Sequence, residues 1–345
     1  MSLDSKNKVV LVTGGSGYLG GWAVVALLLE GYRVRTTIRS LSREAEIRAQ
    51  VSSQVDPEDR LSVVAADLMK DDGWNRAVDG ADAVLHVASP MGNGTSRGQD
   101  LIEPAREGTL RVLKAAAKAG VDRVVLTSSV AASSPRNEPK QAPKRTDETV
   151  WTDLTVRGVD LYSRSKTLAE RSAWEFIQQA GGRTTLTTIL PGCVLGPVMP
   201  KPIAGSVEMV SRMLTGQIPA LPRIGFSIID TRDLIGLHLK AMTAPEAAGQ
   251  RLIASADFLW MTEIAQILRD NLGPRAAKVP TRIMPDFLLR LAAPFHSEAR
   301  FFADRLGLRS EFDASKAESL LNWHPRPARQ AVLDCASSVI ENGLA

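Results

Sequence analysis

The stretch Thr13-Gly14-Gly15-Ser16-Gly17-Tyr18-Leu19-Gly20 decides the fold of this chain. It follows an apolar run, Lys8–Thr13, and opens a segment with helical periodicity. Gly14 allows a sharp turn, Gly17 lets the backbone approach a pyrophosphate, and Gly20 permits close contact between helix and strand. The helix N-terminus also offers unpaired N–H groups and a favourable dipole to an anion. We therefore expect a dinucleotide to bind here. The residues predicted to contact it are Gly14, Ser16, Gly17, Tyr18, Leu19 and Gly20.

Further apolar runs alternate with helical segments along the next 170 or so residues, which is typical of a parallel sheet. Several of these runs lack polar alternation, as strands do when helices cover both faces of the sheet. The predicted strands are Arg33–Ile38, Leu61–Ala65, Ala83–Val87, Val124–Ser128 and Thr185–Leu190, and the predicted helices are Tyr18–Glu30, Gln99–Ala119 and Leu161–Gln179. The pattern predicts an α/β protein with a doubly wound parallel-sheet Rossmann fold.

The regular alternation stops near Leu190, where prolines become frequent. We predict a Rossmann domain over residues 1–190 and, over 191–345, mainly a smaller C-terminal α+β lobe that binds substrate, with part of this second half returning to the first domain. The lobe is predicted to contain helices at Ser206–Leu214, Asp233–Ala241 and Thr262–Asn271, and a strand at Gly225–Ile229.

Composition excludes several classes of function. The 345 residues are 44% hydrophobic and 23% charged, and the net charge of +4 is spread without a basic run, so we expect no nucleic-acid partner. The longest apolar stretch, Trp22–Leu29, is too short to span a membrane. Two cysteines cannot form a disulfide scaffold, which favours a reducing, cytoplasmic location. The four histidines lack metal-ligand spacing, so an organic cofactor is expected and no metal.

The residue after the second predicted strand bears on the choice of cofactor. Proteins that bind NAD usually place a carboxylate there on the ribose 2′-hydroxyl, whereas this chain has Arg39. A guanidinium pairs with the 2′-phosphate of NADP, so we predict NADP(H). Arg43 is predicted to add a second charge; for it, and for the weaker candidate Arg35, a solvated surface charge is an equal alternative.

The ends of the third and fourth strands are predicted to complete the cofactor site. Asp67 can accept a hydrogen bond from the adenine amino group, with Leu68 beside it; the alternative is a helix-capping aspartate. Val87 and Ala88 are small residues at the carboxyl end of the fourth strand, where an open sheet keeps its ligand crevice. The preceding His86 is interpreted as a packed residue.

Tyr162 and Lys166 stand four residues apart at the start of a predicted helix, so their side chains leave the same face. A nearby ammonium is expected to lower the pKa of the phenol and make it a better acid or base. Lys166 is also a candidate to hold the nicotinamide ribose. The fifth strand ends in hydroxyl residues, and we assign Ser129 to hydrogen-bond the substrate oxygen, with Ser128 as the competitor.

The motifs TGGSGYLG from Thr13, TSSVAA from Thr127 and YSRSK from Tyr162 together resemble the extended short-chain dehydrogenases/reductases. HVASP from His86 and PGCVLGP from Pro191 resemble the branch of dihydroflavonol reductases, cinnamoyl-CoA reductases and microbial aldehyde/ketone reductases. The resemblance implies a Ser129–Tyr162–Lys166 triad in an NADP-dependent oxidoreductase that passes a hydride from NADPH to an aldehyde or ketone, reversibly as an alcohol dehydrogenase. It also implies cofactor contacts along the backbone at Pro191, Gly192 and Val194.

No charged clamp for a sugar nucleotide is evident, so we expect a hydrophobic or aromatic carbonyl substrate. The predicted contacts, each with ordinary packing as the alternative, are Pro90, Met91, Val130, Met209, Met213 and Phe226. Two other functions stay open: an NAD-dependent sugar-nucleotide epimerase or 3β-hydroxysteroid dehydrogenase, and a non-catalytic NADP-sensing protein. A small-molecule partner is expected, and the chain is expected to be a monomer or a homodimer.

Overall fold

The computed structural model describes residues 7–90, 101–134, 145–156, 158–200, 205–295, 299 and 302–345. Its central element is a seven-stranded parallel sheet in the order β10-β7-β5-β4-β1-β2-β3. The strands are β1 (Val9–Thr13), β2 (Arg33–Ile38), β3 (Leu61–Ala65), β4 (Ala83–His86), β5 (Arg123–Thr127), β7 (Thr185–Pro191) and β10 (Arg251–Ala254). The order reverses between β1 and β4, and a ligand crevice lies at such a point, outside the carboxyl ends of the strands.

Helices cover both faces of this sheet, which explains why its strands are buried apolar runs. The helices of the first half are α1 (Tyr18–Leu29), α2 (Glu44–Ser52), α3 (Trp74–Val78), α4 (Ile102–Ala119) and α5 (Leu161–Ala180). Helix α4 ends at Gly120 in a left-handed conformation with φ of +70°. The predicted Rossmann fold is confirmed, and the predicted helix and strand ends differ from the observed ones by at most a few residues.

A smaller lobe packs on the carboxyl end of the sheet. Its strands are β8 (Cys193–Leu195), β9 (Gly225–Asp230) and β11 (Phe258–Trp260), in the order β11-β9-β8. Its helices pack around a separate apolar core. They include α6 (Ser206–Leu214), α8 (Met261–Leu272), α9 (Asp286–Ala292) and α11 (Ala328–Glu341). The short strands β6 (Arg145–Thr146) and β12 (Glu311–Phe312) pair in parallel just ahead of α5.

The second half of the chain also contributes to the central sheet and to the helices that cover it. Strand β10 is the outermost strand of the central sheet, next to β7. Helix α7 (Thr231–Thr243) packs against α1 and contributes buried residues to the same apolar core, and α10 (Ser315–Leu321) packs against β10. A division of the chain at residue 190 therefore does not describe the sheet by itself.

Two structural properties bear on the expected partners. Across the described ranges, no helix is long and apolar enough to cross a bilayer. In the same ranges, no three histidine, cysteine, aspartate or glutamate side chains group as metal ligands would. Cys193 and Cys335 are both free thiols.

Candidate active site

The glycine loop between β1 and α1 has the shape of a phosphate cradle. Gly14 has a φ of +73°, the left-handed turn that glycine favours. A Cβ at Gly20 would lie 2.1 Å from the carbonyl oxygen of Gly14, so the close approach is between the helix and the loop itself. A Cβ at Gly15 would lie 2.2 Å from Oγ1 of Thr36. The need for glycine at position 15 could not be predicted from the sequence, because its neighbour Thr36 belongs to another strand, β2.

The start of α1 fits a pyrophosphate group. Gly17 is the N-cap, no side chain caps the helix, and the first turn has no acidic residue, so its N–H groups and dipole face an anion without competition. Leu19 is half-buried and packs on the core below. The Tyr18 phenol donates a 3.0 Å hydrogen bond to the carbonyl oxygen of Gly196, which ties the start of α1 to the segment after β8.

The three arginines considered for the 2′-phosphate have different surroundings. Arg39 follows β2, is exposed, and forms no ion pair with any residue that the structure describes. Arg43 pairs through two hydrogen bonds of 2.7 and 2.8 Å with Glu46, which neutralises the second charge predicted there. Arg35 donates to the carbonyl oxygens at the end of α3, among them Ala77 at 3.0 Å, which is a structural role.

The surroundings of Asp67, after β3, are compatible with a capping role and with a hydrogen bond to adenine. One carboxylate oxygen of Asp67 accepts a 3.0 Å hydrogen bond from the N–H of Met69, so the residue caps the turn that follows. Its side chain is nevertheless half-exposed. Leu68 packs against Gly108 of α4, where a Cβ would lie 2.9 Å from the Cβ of Leu68.

A hydroxyl that the sequence analysis missed joins β1 to β4. Thr13 Oγ1 accepts a 3.0 Å hydrogen bond from the N–H of Ala88 and shares one of 2.8 Å with Nδ1 of His86. Burial lowers the pKa of His86 to about 3, with help from the charge of Lys166, so its ring is neutral at physiological pH. Ala88 also contacts the glycine loop, since a Cβ added at Gly14 would lie 3.0 Å from the Cβ of Ala88. The half-buried Val87 and Ala88 therefore lie beside the glycine cradle.

Ser129 and Tyr162 meet at the carboxyl end of β5, and Lys166 lies one turn further along α5. Helix α5 begins after Asp160, whose side chain accepts a 2.9 Å hydrogen bond from the N–H of Ser163, and this cap fixes the first turn that carries Tyr162. The Ser129 hydroxyl hydrogen-bonds the Tyr162 phenol and itself accepts a 3.1 Å hydrogen bond from the N–H of Ala131. Ser128 instead turns away, donating a 2.6 Å hydrogen bond to Glu170.

The charges of this cluster differ from the sequence expectation. Burial raises the pKa of Tyr162, and the hydrogen bond from Ser129 opposes this only in part, so the phenol pKa lies above its ordinary value and not below it as expected. Burial also lowers the pKa of Lys166 to about 8, while the charge of Glu170 acts in the opposite direction. Both groups are protonated at neutral pH. Glu170 was not predicted from the sequence. The signal was its spacing, because Glu170 follows Lys166 by four residues, the same interval that separates Lys166 from Tyr162.

The residues expected beside the nicotinamide belong to the end of β7 and the segment that follows it. Pro191 is buried at the end of β7, and Gly192 and Val194 are partly exposed. A Cβ at Gly192 would lie 2.3 Å from the carbonyl oxygen of Ser227, so close packing against β9 alone accounts for this glycine. Burial raises the pKa of the neighbouring Cys193 to about 12, so the thiol is protonated.

The predicted substrate contacts divide into three groups. Pro90, Val130, Met209 and Phe226 are partly exposed, as pocket-lining residues are. Met213 is fully buried in the core of the lobe, so its predicted contact with substrate is wrong: the helix α6 turns it toward α8 and α11 rather than toward the surface. Met91 lies outside the described residues.

Comparisons with known proteins agree with this architecture. The NAD dependent epimerase/dehydratase family matches residues 10–253. Tetraketide alpha-pyrone reductase 1 of Arabidopsis thaliana is 32% identical over 349 residues, covering 99% of this chain and 98% of the relative. Cinnamoyl-CoA reductase 1 of the same plant is 34% identical over 255 residues, covering 72% and 71%. The yeast methylglyoxal/isovaleraldehyde reductase, solved in complex with NADPH, superposes with a TM-score of 0.79 at 26% identity over 98% of this chain and 100% of that one.

These relatives agree with the sequence-based expectation of an NADP-dependent oxidoreductase. The family match spans the glycine loop, the Tyr162/Lys166 helix and β10 together. The resemblance inferred from the three motifs is confirmed: this chain belongs to the NAD dependent epimerase/dehydratase family, as an extended short-chain dehydrogenase/reductase.

Proposed function

We propose that this protein is an NADPH-dependent carbonyl reductase, acting reversibly as an alcohol dehydrogenase on hydrophobic or aromatic aldehydes and ketones. The observation that carries the proposal is the contact between Ser129 and Tyr162, with Lys166 one helical turn away, at the carboxyl edge of the sheet that bears the glycine loop. Two hydroxyls and an ammonium at one point suit the reduction of a carbonyl oxygen.

The residues that would hold the cofactor are those of the cradle and its rim. The N–H groups at the start of α1 would bind the pyrophosphate, Arg39 would pair with the 2′-phosphate, and Asp67 would accept a hydrogen bond from the adenine amino group. Lys166 would hold the nicotinamide ribose, and the backbone at Pro191, Gly192 and Val194 would contact the nicotinamide. When bound, NADPH supplies the hydride.

The side chains divide the remaining work. Ser129 donates a hydrogen bond to the substrate oxygen as negative charge develops there. The Tyr162 phenol, kept protonated at neutral pH by burial, gives its proton to the nascent alkoxide. Lys166 remains an ammonium below pH about 8 and stabilises the phenolate that is left.

The proposed substrate class rests on the apolar residues that are expected to contact the substrate. Pro90, Val130, Met209 and Phe226 present apolar surface, and a flexible methionine suits substrates of varied shape. The curated relatives compared above are named as reductases of cinnamoyl-CoA and of a tetraketide pyrone, and these names support an aromatic or bulky carbonyl.

The test follows NADPH absorbance across aromatic aldehydes, bulky ketones and steroid ketones, with wild type and Tyr162→Phe. Loss of the proton donor should lower kcat by about 10²-fold to 10⁴-fold. The Kd for NADPH should hardly change, because the ring remains. The matched control is Tyr32→Phe, which also removes one phenolic oxygen but lies between α1 and β2. We expect this control to keep wild-type turnover. Full turnover by Tyr162→Phe would refute the role of Tyr162, and no turnover of any carbonyl by wild type would favour the NADP-sensing alternative.

A further inference from the structure

A buried carboxylate lies one helical turn beyond Lys166. Tyr162, Lys166 and Glu170 follow one another at intervals of four residues and share one face of α5. Glu170 is only 1% exposed. A charged group is costly to bury unless it is paired and hydrogen-bonded, so its surroundings have to supply partners.

Three strands of the central sheet supply those partners. The Oε1 atom of Glu170 accepts hydrogen bonds of 2.7 Å from Thr188 of β7 and of 2.8 Å from Nε of Arg251 in β10. The Oε2 atom accepts the 2.6 Å hydrogen bond from Ser128 at the end of β5. Donors to both oxygens and an ion pair with Arg251 fix this carboxylate in place.

Arg251 has anchors of its own. Its Nη1 donates to the carbonyl oxygens of Glu148 and, at 3.0 Å, of Val150. The guanidinium also stacks on the ring of Trp151, 3.6 Å from the ring centroid. Arg251 is therefore held on its far side by the segment before α5, and its place does not depend on Glu170 alone.

A small cavity lies beside both the carboxylate of Glu170 and the side chain of Lys166. Lys166 and Glu170 both line it, together with the polar residues Ser89, Thr109 and Ser128. Its volume of about 10 Å³ is close to what one water molecule requires, and its walls offer the several polar partners that a buried water needs. No direct hydrogen bond joins Lys166 to Glu170 among the residues that the structure describes.

We propose that Glu170 is a positioning residue for the reaction: its carboxylate is the buried counter-charge of Lys166, and the two residues line one cavity that fits a bridging water. The inference rests on the function proposed above for Lys166. It assigns a catalytic purpose to a buried ion pair that would otherwise serve only to join α5 to the sheet.

The other titratable groups around Lys166 cannot take this role. His86 faces it from β4, and burial keeps the pKa of that ring at about 3, so it is neutral. Tyr162 is protonated at neutral pH, and Arg251 is a cation. Among the described groups that face Lys166, Glu170 therefore carries the negative charge, and its effect opposes the lowering of the lysine pKa by burial.

The test is the pH dependence of turnover in Glu170→Gln, which keeps the shape and removes the charge. The rate of carbonyl reduction should fall at high pH, where Lys166 loses its proton, and this fall is the alkaline limb of the pH–rate profile. In the variant the alkaline limb should move to lower pH by about one unit or more, as expected on removing an opposite charge nearby. Glu170→Asp should return the limb most of the way, because it restores the charge.

Thr188→Val is the matched control for a purely structural role. It removes the 2.7 Å hydrogen bond to Glu170 and leaves the charge in place. We expect its Tm to fall while the alkaline limb stays at the wild-type pH. If Thr188→Val moves the limb as far as Glu170→Gln does, packing rather than charge is responsible and the proposal is overturned.

A second readout needs no substrate. Competitive acetylation of the lysines, from about pH 6 to about pH 10 and quantified by mass spectrometry, reports the pKa of Lys166 directly. A lower Lys166 pKa in Glu170→Gln supports the proposal, and an unchanged one overturns it. If Glu170→Gln does not fold, the same comparison is made with Glu170→Asp, for which a smaller fall is expected and no fall is the contrary result. Wild type that labels as expected but reduces no carbonyl would refute the proposed function and not the counter-charge.

Discussion

Replacement of Gly17 by alanine should separate cofactor binding from folding. Gly17 has a φ of −82° and a ψ of 167°, extended backbone that any residue adopts. The nearest contact of an added Cβ is the carbonyl oxygen of Gly14, at 3.1 Å. Alanine is a poorer N-cap than glycine, but it also reduces the freedom of the unfolded chain, and each effect is worth about 0.5–1 kcal/mol. The two nearly cancel, so the free energy of unfolding should change by less than about 1 kcal/mol.

Binding should respond much more strongly. The added methyl group occupies the face from which the α1 N–H groups approach a pyrophosphate. Loss of one well-placed hydrogen bond to a charged group costs about 1.5–3 kcal/mol. The Kd for NADPH should therefore rise by about 10-fold to about 150-fold.

The assay compares Gly17→Ala with Gly20→Ala. A Cβ at Gly20 would lie 2.1 Å from a backbone oxygen, which cannot swing aside, so this variant should lose about 1–3 kcal/mol of stability. Thermal unfolding gives Tm, and quenching of tryptophan fluorescence by NADPH gives Kd. The reasoning is refuted if Gly17→Ala lowers Tm as much as Gly20→Ala does and leaves the Kd unchanged.

Two further predictions concern the cofactor and acid stability. Arg39→Asp should lower the preference for NADPH over NADH at least about 10-fold, because a carboxylate repels the 2′-phosphate; an unchanged ratio of the two Kd values counts against the contact. Burial lowers the pKa of His86 to about 3 and that of His238 to about 4, from 6.5. Between the folded pKa values and 6.5, the unfolded chain binds more protons than the folded protein, so Tm should fall as the pH drops below 6.5. A Tm that is independent of pH down to about pH 4.5 would contradict this.

Local sequence patterns were sufficient for much of the fold. The strands β2 and β3 and the helix α6 begin and end where their apolar patterns predicted, and the glycine at position 120 ends α4 as expected. Their bounds are marked by apolar runs, turn residues and a helix-ending glycine, which the sequence displays directly.

Other side chains could not be placed from sequence, because their partners are distant along the chain. The phenol of Tyr18 bonds to Gly196, and Thr13 joins His86 and Ala88. Met213 is in an apolar stretch that suits a pocket or a core equally well, and only the packing of α6 assigns it to the core. Arg43 is a partial exception, since its partner Glu46 is one turn away and a helix beginning at Glu44 would have indicated the pair.

The sequence by itself determined the class of fold, the phosphate-binding loop and the spacing of Tyr162 and Lys166, because glycine placement and the helical repeat are local properties. Tertiary structure decided that Ser129 meets Tyr162, that Arg43 is paired with Glu46, and that the carboxylate of Glu170 lies near Lys166. The order of strands in the sheet brings β5, β7 and β10 side by side, and only that order places Ser128, Thr188 and Arg251 around one buried charge.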